Sequence, residues 1–194
     1  MQIPDFSAYQ LEPVPNLKLP LPKGDFWVFG YGSLMWDPGF KYIDSQPAFL
    51  FGYHRRLCLW SIHYRGTHAN PGLVLGLDAG GSCKGMGFKV SPKNTEEVCE
   101  YLKEREMLSN AYKPVVKPIY LDNGKNVNAL TFVSKRNHPQ YANIQDNDLL
   151  VSIIQNAKGL RGPNCQYVTN TANHLSEFGI HKTHLHDIAD QLIQ

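Results

Sequence analysis

The sequence predicts an α+β protein, with strands first, one helix embedded among them, and helices at the end. Three observations carry this. Phe26–Trp36 (FWVFGYGSLMW) is the densest aromatic run in the chain and breaks abruptly at Gly30, Gly32 and Ser33. Short apolar runs punctuated by Gly, Pro and Asn then recur as far as Val133, interrupted once by the amphipathic stretch TEEVCEYLKEREM. From Asp146 onward the pattern turns helical. No repeat or low-complexity tract is present.

Residues 1–25 carry prolines at 4, 13, 15, 20 and 22 without sustained periodicity. They read as an extended arm on the domain surface, with a disordered leader as the alternative. The domain proper is expected over 26–194. Its first strand is the apolar half of Phe26–Trp36, bounded by LPLPKG and by Asp37-Pro38-Gly39. The glycine half forms a loop at the strand's end, where the backbone can approach a ligand and turn N–H groups toward an anion. A tight turn after a core strand explains the composition equally well.

Pro47–Leu59 reads as a second strand. Arg55 and Arg56 are consecutive, so in a strand they face opposite ways. WSIHYRGTHANPG follows as a long polar loop of the kind that lines sites. Leu73–Asp78 and Gly85–Val90 are expected to pair as a hairpin across AGGSCK. Asn94 or Thr95 caps the embedded helix, with Glu96 and Glu97 in its first turn. Val98, Tyr101 and Leu102 form its apolar stripe. Glu106 falls on or beside that stripe. Val115–Leu121 and Val127–Val133 are two further strands joined by an Asp-Asn-Gly turn, and Pro118 suggests an edge or bulge. A polar loop covers 134–145, then come a helix from Asp146 through Ala157, a second glycine loop (GLRGPNC), a helix over Tyr167–Phe178 and a last short helix over His181–Ile193.

At 194 residues and 42% hydrophobic, the chain suits one globular domain. A net charge of +2 gives no ground for a nucleic-acid or membrane partner. No apolar run reaches bilayer length. The N-terminus has neither a basic start nor an apolar core segment, so no secretory signal is read and a cytoplasmic location is expected. Cys58, Cys83, Cys99 and Cys165 are widely spaced, with no C-x-x-C, and are expected as free thiols.

Several motifs are excluded by residue type. GYGSLM has Met35 where a dinucleotide fingerprint needs its third glycine. It is no nucleophile elbow, since Tyr31 precedes Gly32 and Leu34 follows Ser33. No G-K-[ST] makes it a Walker loop. His181, His184 and His186 lack the surrounding ligand spacing of a metal site and read as a solvated helix start. Cys165 and His174 lie nine residues apart, about 13–14 Å along a continuous helix, too far to form a thiol–imidazole pair. Glu106 has two readings: a salt-bridged surface group, or a general base whose pKa partial burial raises toward neutrality.

Taken in order, these segments resemble the gamma-glutamylcyclotransferases, and specifically their ChaC branch, the glutathione-specific enzymes. The resemblance rests on Val28–Trp36, Gly52–Arg56, Tyr64–Thr67, Pro71–Leu77, Gly81–Gly85, Tyr101-Leu102-x-x-Arg105-Glu106-Met107 and Gly162-Pro163-Asn164-Cys165-x-Tyr167. It spans roughly residues 26–180. It implies a small mixed, mostly antiparallel β-barrel with helices packed outside. It implies cleavage of glutathione to 5-oxoproline and Cys-Gly by attack of the substrate's own α-amine, with no water, metal or organic cofactor. Glu106 matches the family's catalytic glutamate. Tyr31, Gly32, Ser33 and Leu34 would hold the glutamyl carboxylate or the developing oxyanion through their N–H groups. Tyr31 and Tyr167 are implied as hydroxyl partners for substrate. Arg55 or Arg56 would meet a carboxylate, with Arg55 favoured. No nucleic acid, membrane or obligate protein partner is implied. A cyclotransferase for another gamma-glutamyl amine, a non-catalytic module on the same barrel, and a thiol hydrolase at Cys165 are the rivals.

Overall fold

The computed structural model describes residues 3–10 and 17–193. Part of the N-terminal arm therefore lies outside the described residues. Within them the elements run β1 (Phe26–Gly30), a 3-10 turn (Ser33–Met35), β2 (Asp44–Ser61), β3 (Gly72–Val90), α1 (Thr95–Glu106), β4 (Tyr112–Leu121), β5 (Asn126–Ser134), α2 (Asn147–Asn156), β6 (Lys158–Gly159), β7 (Gly162–Pro163), α3 (Asn164–Glu177) and α4 (His184–Gln191). The strands β1-β3-β2-β4-β5 close into a mixed barrel. The α+β class and the barrel follow the sequence expectation.

The chain divides into two compact units, one drawn from Met1–Gln10, Arg56–Gly76 and Asn137–Gln194, the other from Leu11–Arg55 and Leu77–Arg136. In the second, β1 pairs antiparallel with β3 over its whole length, from Phe26↔Val90 to Gly30↔Met86. It pairs parallel with β5 at Trp27↔Ala129 and Val28↔Leu130. The alternation of a strand sends Phe26 and Val28 to one side. There they join Leu19, Val90, Leu130 and Phe132 in a core that also takes Val98, Leu102 and Met107 of the α1 region. Burying Val98 and Leu102, at 1% and 0% exposure, is worth about 1.5–3 kcal/mol each and seats α1 on the barrel.

Three local expectations are corrected. Leu73–Asp78 and Gly85–Val90 are not two strands of a hairpin but parts of one strand of 19 residues. Gly80 and Gly81, at φ +105 and +69, bend the strand instead of reversing it, and His54 Nδ1 lies 2.9 Å from the Gly80 carbonyl oxygen. The start of α1 has no side-chain cap from Asn94. A 3-10 turn over Pro92–Asn94 leads into it, and the Thr95 N–H donates to the Pro92 carbonyl, so the turn supplies the acceptor that a cap would otherwise supply. The second glycine loop is a small hairpin, β6 with β7, and α3 begins three residues earlier than expected. The hairpin of β4 and β5 forms as expected, with Gly124 at φ +82 in the turn and its N–H donating to the Leu121 carbonyl at 2.9 Å.

In the first unit, α3 packs against α2 and α4. Phe6 of the arm is buried at 3% exposure, its ring 6.3 Å from that of Trp60. The Asp146 carboxylate accepts from the Leu149 N–H at 3.2 Å and caps α2. No described helix is long and apolar enough to cross a membrane.

Candidate active site

The candidate site is assembled where β1 runs out. Its last residue, Gly30, leads into Tyr31, which is buried at 7% exposure. The chain then winds into the 3-10 turn, closed by the Met35 N–H donating to the Gly32 carbonyl at 2.8 Å and the Asp37 N–H to the Ser33 carbonyl at 2.9 Å. Leu34 and Met35 anchor this turn in the core at 5% and 4% exposure. The N–H groups of Ser33 and Leu34 precede the first bond of the turn, so the turn itself offers them no acceptor.

Arg55 projects toward this loop. It donates from Nε to the Tyr31 carbonyl at 2.5 Å and from Nη2 to the Lys84 carbonyl at 2.8 Å. Arg56, one residue on, faces elsewhere and donates to the Asn143 side chain at 3.3 Å and the Ile144 carbonyl at 2.7 Å. Of the two adjacent arginines, Arg55 is therefore the one beside Tyr31.

Glu106 is the last residue of α1, and its side chain is 17% exposed. Burial pushes its carboxyl above the ordinary glutamate range, while the Arg105 guanidinium, with Nε 3.4 Å from Glu106 Oε1, pulls the other way. A carboxylate at a helix C-terminus also meets the negative end of the helix dipole. The same guanidinium donates to Ser33 Oγ at 2.9 Å. One side chain therefore connects the buried carboxylate to the loop. Chemically, a carboxylate whose pKa is raised by burial can take up and return a proton.

Tyr31, Gly32, Ser33, Leu34, Arg55 and Glu106 all belong to the second unit. Tyr167 belongs to the first, on α3. Its hydroxyl accepts from the Leu75 N–H at 3.2 Å, and the Arg65 guanidinium lies 5.3 Å from its ring centroid. Next to it Asn164 is fully buried and paired twice with Leu73, accepting from its N–H at 2.6 Å and donating to its carbonyl at 2.8 Å. Two of the C-terminal histidines, His184 and His186, make polar contacts at helix starts. His186 Nδ1 lies 2.8 Å from Thr183 Oγ1 in the cap of α4, and His184 Nε2 lies 2.8 Å from Asn147 Oδ1. Cys165 and His174 share the uninterrupted helix α3.

Sequence reasoning passed over Arg105 and Asn164 as individual residues. Arg105 carried one signal, its i, i+4 spacing from Tyr101, which puts the two side chains on one helix face. Nothing in the composition around Asn164 separates a buried bridging amide from a solvated loop residue.

A family model described as ChaC-like protein matches residues 26–193. A protein of Escherichia coli (strain K12), named glutathione-specific gamma-glutamylcyclotransferase, is 34% identical over 166 residues, covering 86% of this chain and 72% of its own. A protein of the same name from Schizosaccharomyces pombe is 36% identical over 179 residues, covering 80% and 86%. A crystal structure of a gamma-glutamyl cyclotransferase specific to glutathione from yeast has the same fold, with a TM-score of 0.78 over 88% of this chain and 96% of that one at 22% identity. The match begins at the first residue of β1 and takes in the glycine loop, the barrel and every described helix: the chain belongs to the ChaC-like protein family.

Proposed function

We propose that this protein cleaves glutathione to 5-oxoproline and Cys-Gly. The observation that carries the reading is Glu106, a carboxylate 17% exposed with its pKa raised, tied through one guanidinium to the glycine loop. The step balances without a co-reactant. The α-amine nitrogen of the gamma-glutamyl residue bonds to its own γ-carbonyl carbon, the amide C–N bond breaks, and the proton lost by the amine ends on the departing nitrogen of Cys-Gly. Glu106 takes that proton and returns it, acting as base and then acid. Attack is intramolecular, so the protein's task is to hold the glutamyl chain bent. The N–H groups of Tyr31, Gly32, Ser33 and Leu34 bind its carboxylate or the developing oxyanion. Arg55 brings positive charge beneath Tyr31, and Tyr31 and Tyr167 offer hydroxyls to substrate. In this reading residues 26–194 form the catalytic domain, the substrate is a small molecule, and the site of action is the reducing cytoplasm.

Incubating purified protein with glutathione should yield 5-oxoproline and Cys-Gly in equal amounts, before and after treatment with a chelator. Glu106→Gln keeps size and hydrogen bonding and removes the base. Near-wild-type turnover by that variant would overturn the mechanism. Inactivation by alkylating Cys165 would point instead to a thiol enzyme, and faster release of other amines from a gamma-glutamyl panel would replace glutathione as the substrate.

A further inference from the structure

We propose that Arg105 is a positioning residue for this reaction, a clamp that fixes the 33–39 loop to the last turn of α1 so that the loop's N–H groups keep their place relative to the Glu106 carboxylate. The inference rests on the function proposed above and adds a residue to it. The guanidinium grips the loop at both ends of its exposed arc. Nη2 donates to Ser33 Oγ at 2.9 Å. Nη1 donates to the Asp37 carbonyl at 2.8 Å and reaches the Pro38 carbonyl at 3.4 Å. On its other side Nη1 donates to the Tyr101 hydroxyl at 2.6 Å, and Nε faces Glu106 Oε1 at 3.4 Å. The side chain is only 19% exposed. Tyr101 braces the same arc. Its hydroxyl oxygen sits 1.9 Å from where a Cβ on residue 39 would be, and Gly39 has φ +71, so only glycine lets the loop come this close.

This arrangement needs a guanidinium and not merely a positive charge. A planar fork with five donors can bridge Ser33, Asp37 and Tyr101 at once, whereas an ammonium ion is a point charge on a flexible stem. Arg105 is also the cation that reaches Glu106 among the described residues. Lys103 turns to Glu100 at 2.5 Å and Lys41 to Glu97 at 3.9 Å, while Asp37 presents its main-chain carbonyl to Arg105 and Tyr101 its hydroxyl. A misplacement of about 1 Å in a site that works by orientation can cost about 100-fold in rate.

The test compares Arg105→Lys with Arg105→Ala in the full chain, beside wild type and Glu106→Gln. Both Arg105 variants should lose roughly 10- to 100-fold in kcat and raise KM, with unfolding midpoints close to wild type. The acid limb of the pH–rate profile should stay near wild type in Arg105→Lys and move up in Arg105→Ala, where the cation beside Glu106 is gone. Added guanidinium ion should restore part of the Arg105→Ala activity. Without glutathione, amide hydrogen exchange should quicken over Ser33–Phe40 in both variants and stay unchanged in β4. An Arg105→Lys enzyme with wild-type kcat, KM and exchange would overturn the clamp. So would an Arg105→Ala loss that guanidinium does not rescue and that follows a general fall in the unfolding midpoint. A wild-type protein inactive on glutathione would overturn the proposed function instead, and the exchange comparison would still decide whether the clamp exists.

Discussion

Loops 30–39 and 158–164 are built from the same parts. Each is glycine-rich, and each is held by an arginine donating to main-chain carbonyls: Arg105 to Asp37 and Pro38, Arg65 to Arg161 and Pro163. They differ in what the buried polar groups beside them have left to do. In the later loop Asn164 and Leu73 satisfy each other in both directions, and the Tyr167 hydroxyl takes the Leu75 N–H. In the earlier one Glu106 is half-buried, and its charged form is opposed by desolvation and met by the Arg105 guanidinium at 3.4 Å. A saturated amide supports a backbone. A carboxylate with a weakened hold on its charge can pick up a proton, and that is the difference between the surroundings of the two loops.

The strongest way to break this contrast is to remove the carboxylate. Glu106→Gln should lower 5-oxoproline formation by about 10²- to 10⁴-fold, the range of a lost general base, with an unfolding midpoint equal to wild type or higher, since a desolvated charge is gone. Asn164→Ala should do the reverse. It strands the Leu73 N–H and carbonyl, costing about 1–3 kcal/mol for a buried unpaired group, read as a lower denaturant midpoint at unchanged slope. A large kcat loss at full stability in Asn164→Ala would erase the distinction between the loops.

Stability against pH sharpens the same point. The folded-state pKa of Glu106 is raised above its ordinary value of 4.5. The folded protein therefore holds this proton more tightly than the unfolded chain. Its stabilising contribution is full below that ordinary value and is lost as pH rises through the raised one. The slope is at most about 1.4 kcal/mol per pH unit for one proton. The difference in unfolding free energy between wild type and Glu106→Gln, followed upward from pH 4, should show that loss. A flat difference would mean the carboxyl is not perturbed. The smallest effect belongs to Tyr167→Phe, which removes the acceptor for Leu75 and should cost about 0.5–1.5 kcal/mol. Any rise in KM for glutathione beyond that fall in stability would report the hydroxyl's contact with substrate.

Legibility in the sequence followed how local each determinant is. β1, the turn at Gly124 and α1 are written in neighbouring residues, by an aromatic run, an Asp-Asn-Gly and a 3.6-residue stripe. The continuity of β3 was not legible. Gly80 and Gly81 permit either a reversal or a bend, and the neighbouring β2, with His54 beside Gly80 and Gly81, carries the bend. Glu106 could be singled out because a carboxylate on an apolar stripe is anomalous by itself. That Arg55 and not Arg56 lies beside Tyr31 depends on the lie of Tyr31 and Lys84, residues 24 and 29 positions away. Arg105 and Asn164 act through carbonyls and amides 67 to 91 positions distant, and the backbone looks alike at every residue until it is folded.

The parallel pairing of β1 with β5 also bears on how the protein is made. The strand that carries the glycine loop finds one of its two neighbours about a hundred residues later; the Thr131 hydroxyl, donating to the Phe29 carbonyl at 3.1 Å, bridges 102 positions. At about 5–20 residues per second of synthesis, the loop and then Glu106 leave the ribosome before the strand that closes the barrel over β1. At that rate the nascent chain carries the glycine loop without β5 for roughly 5–20 s, and the loop together with Glu106 without β5 for about 1–5 s.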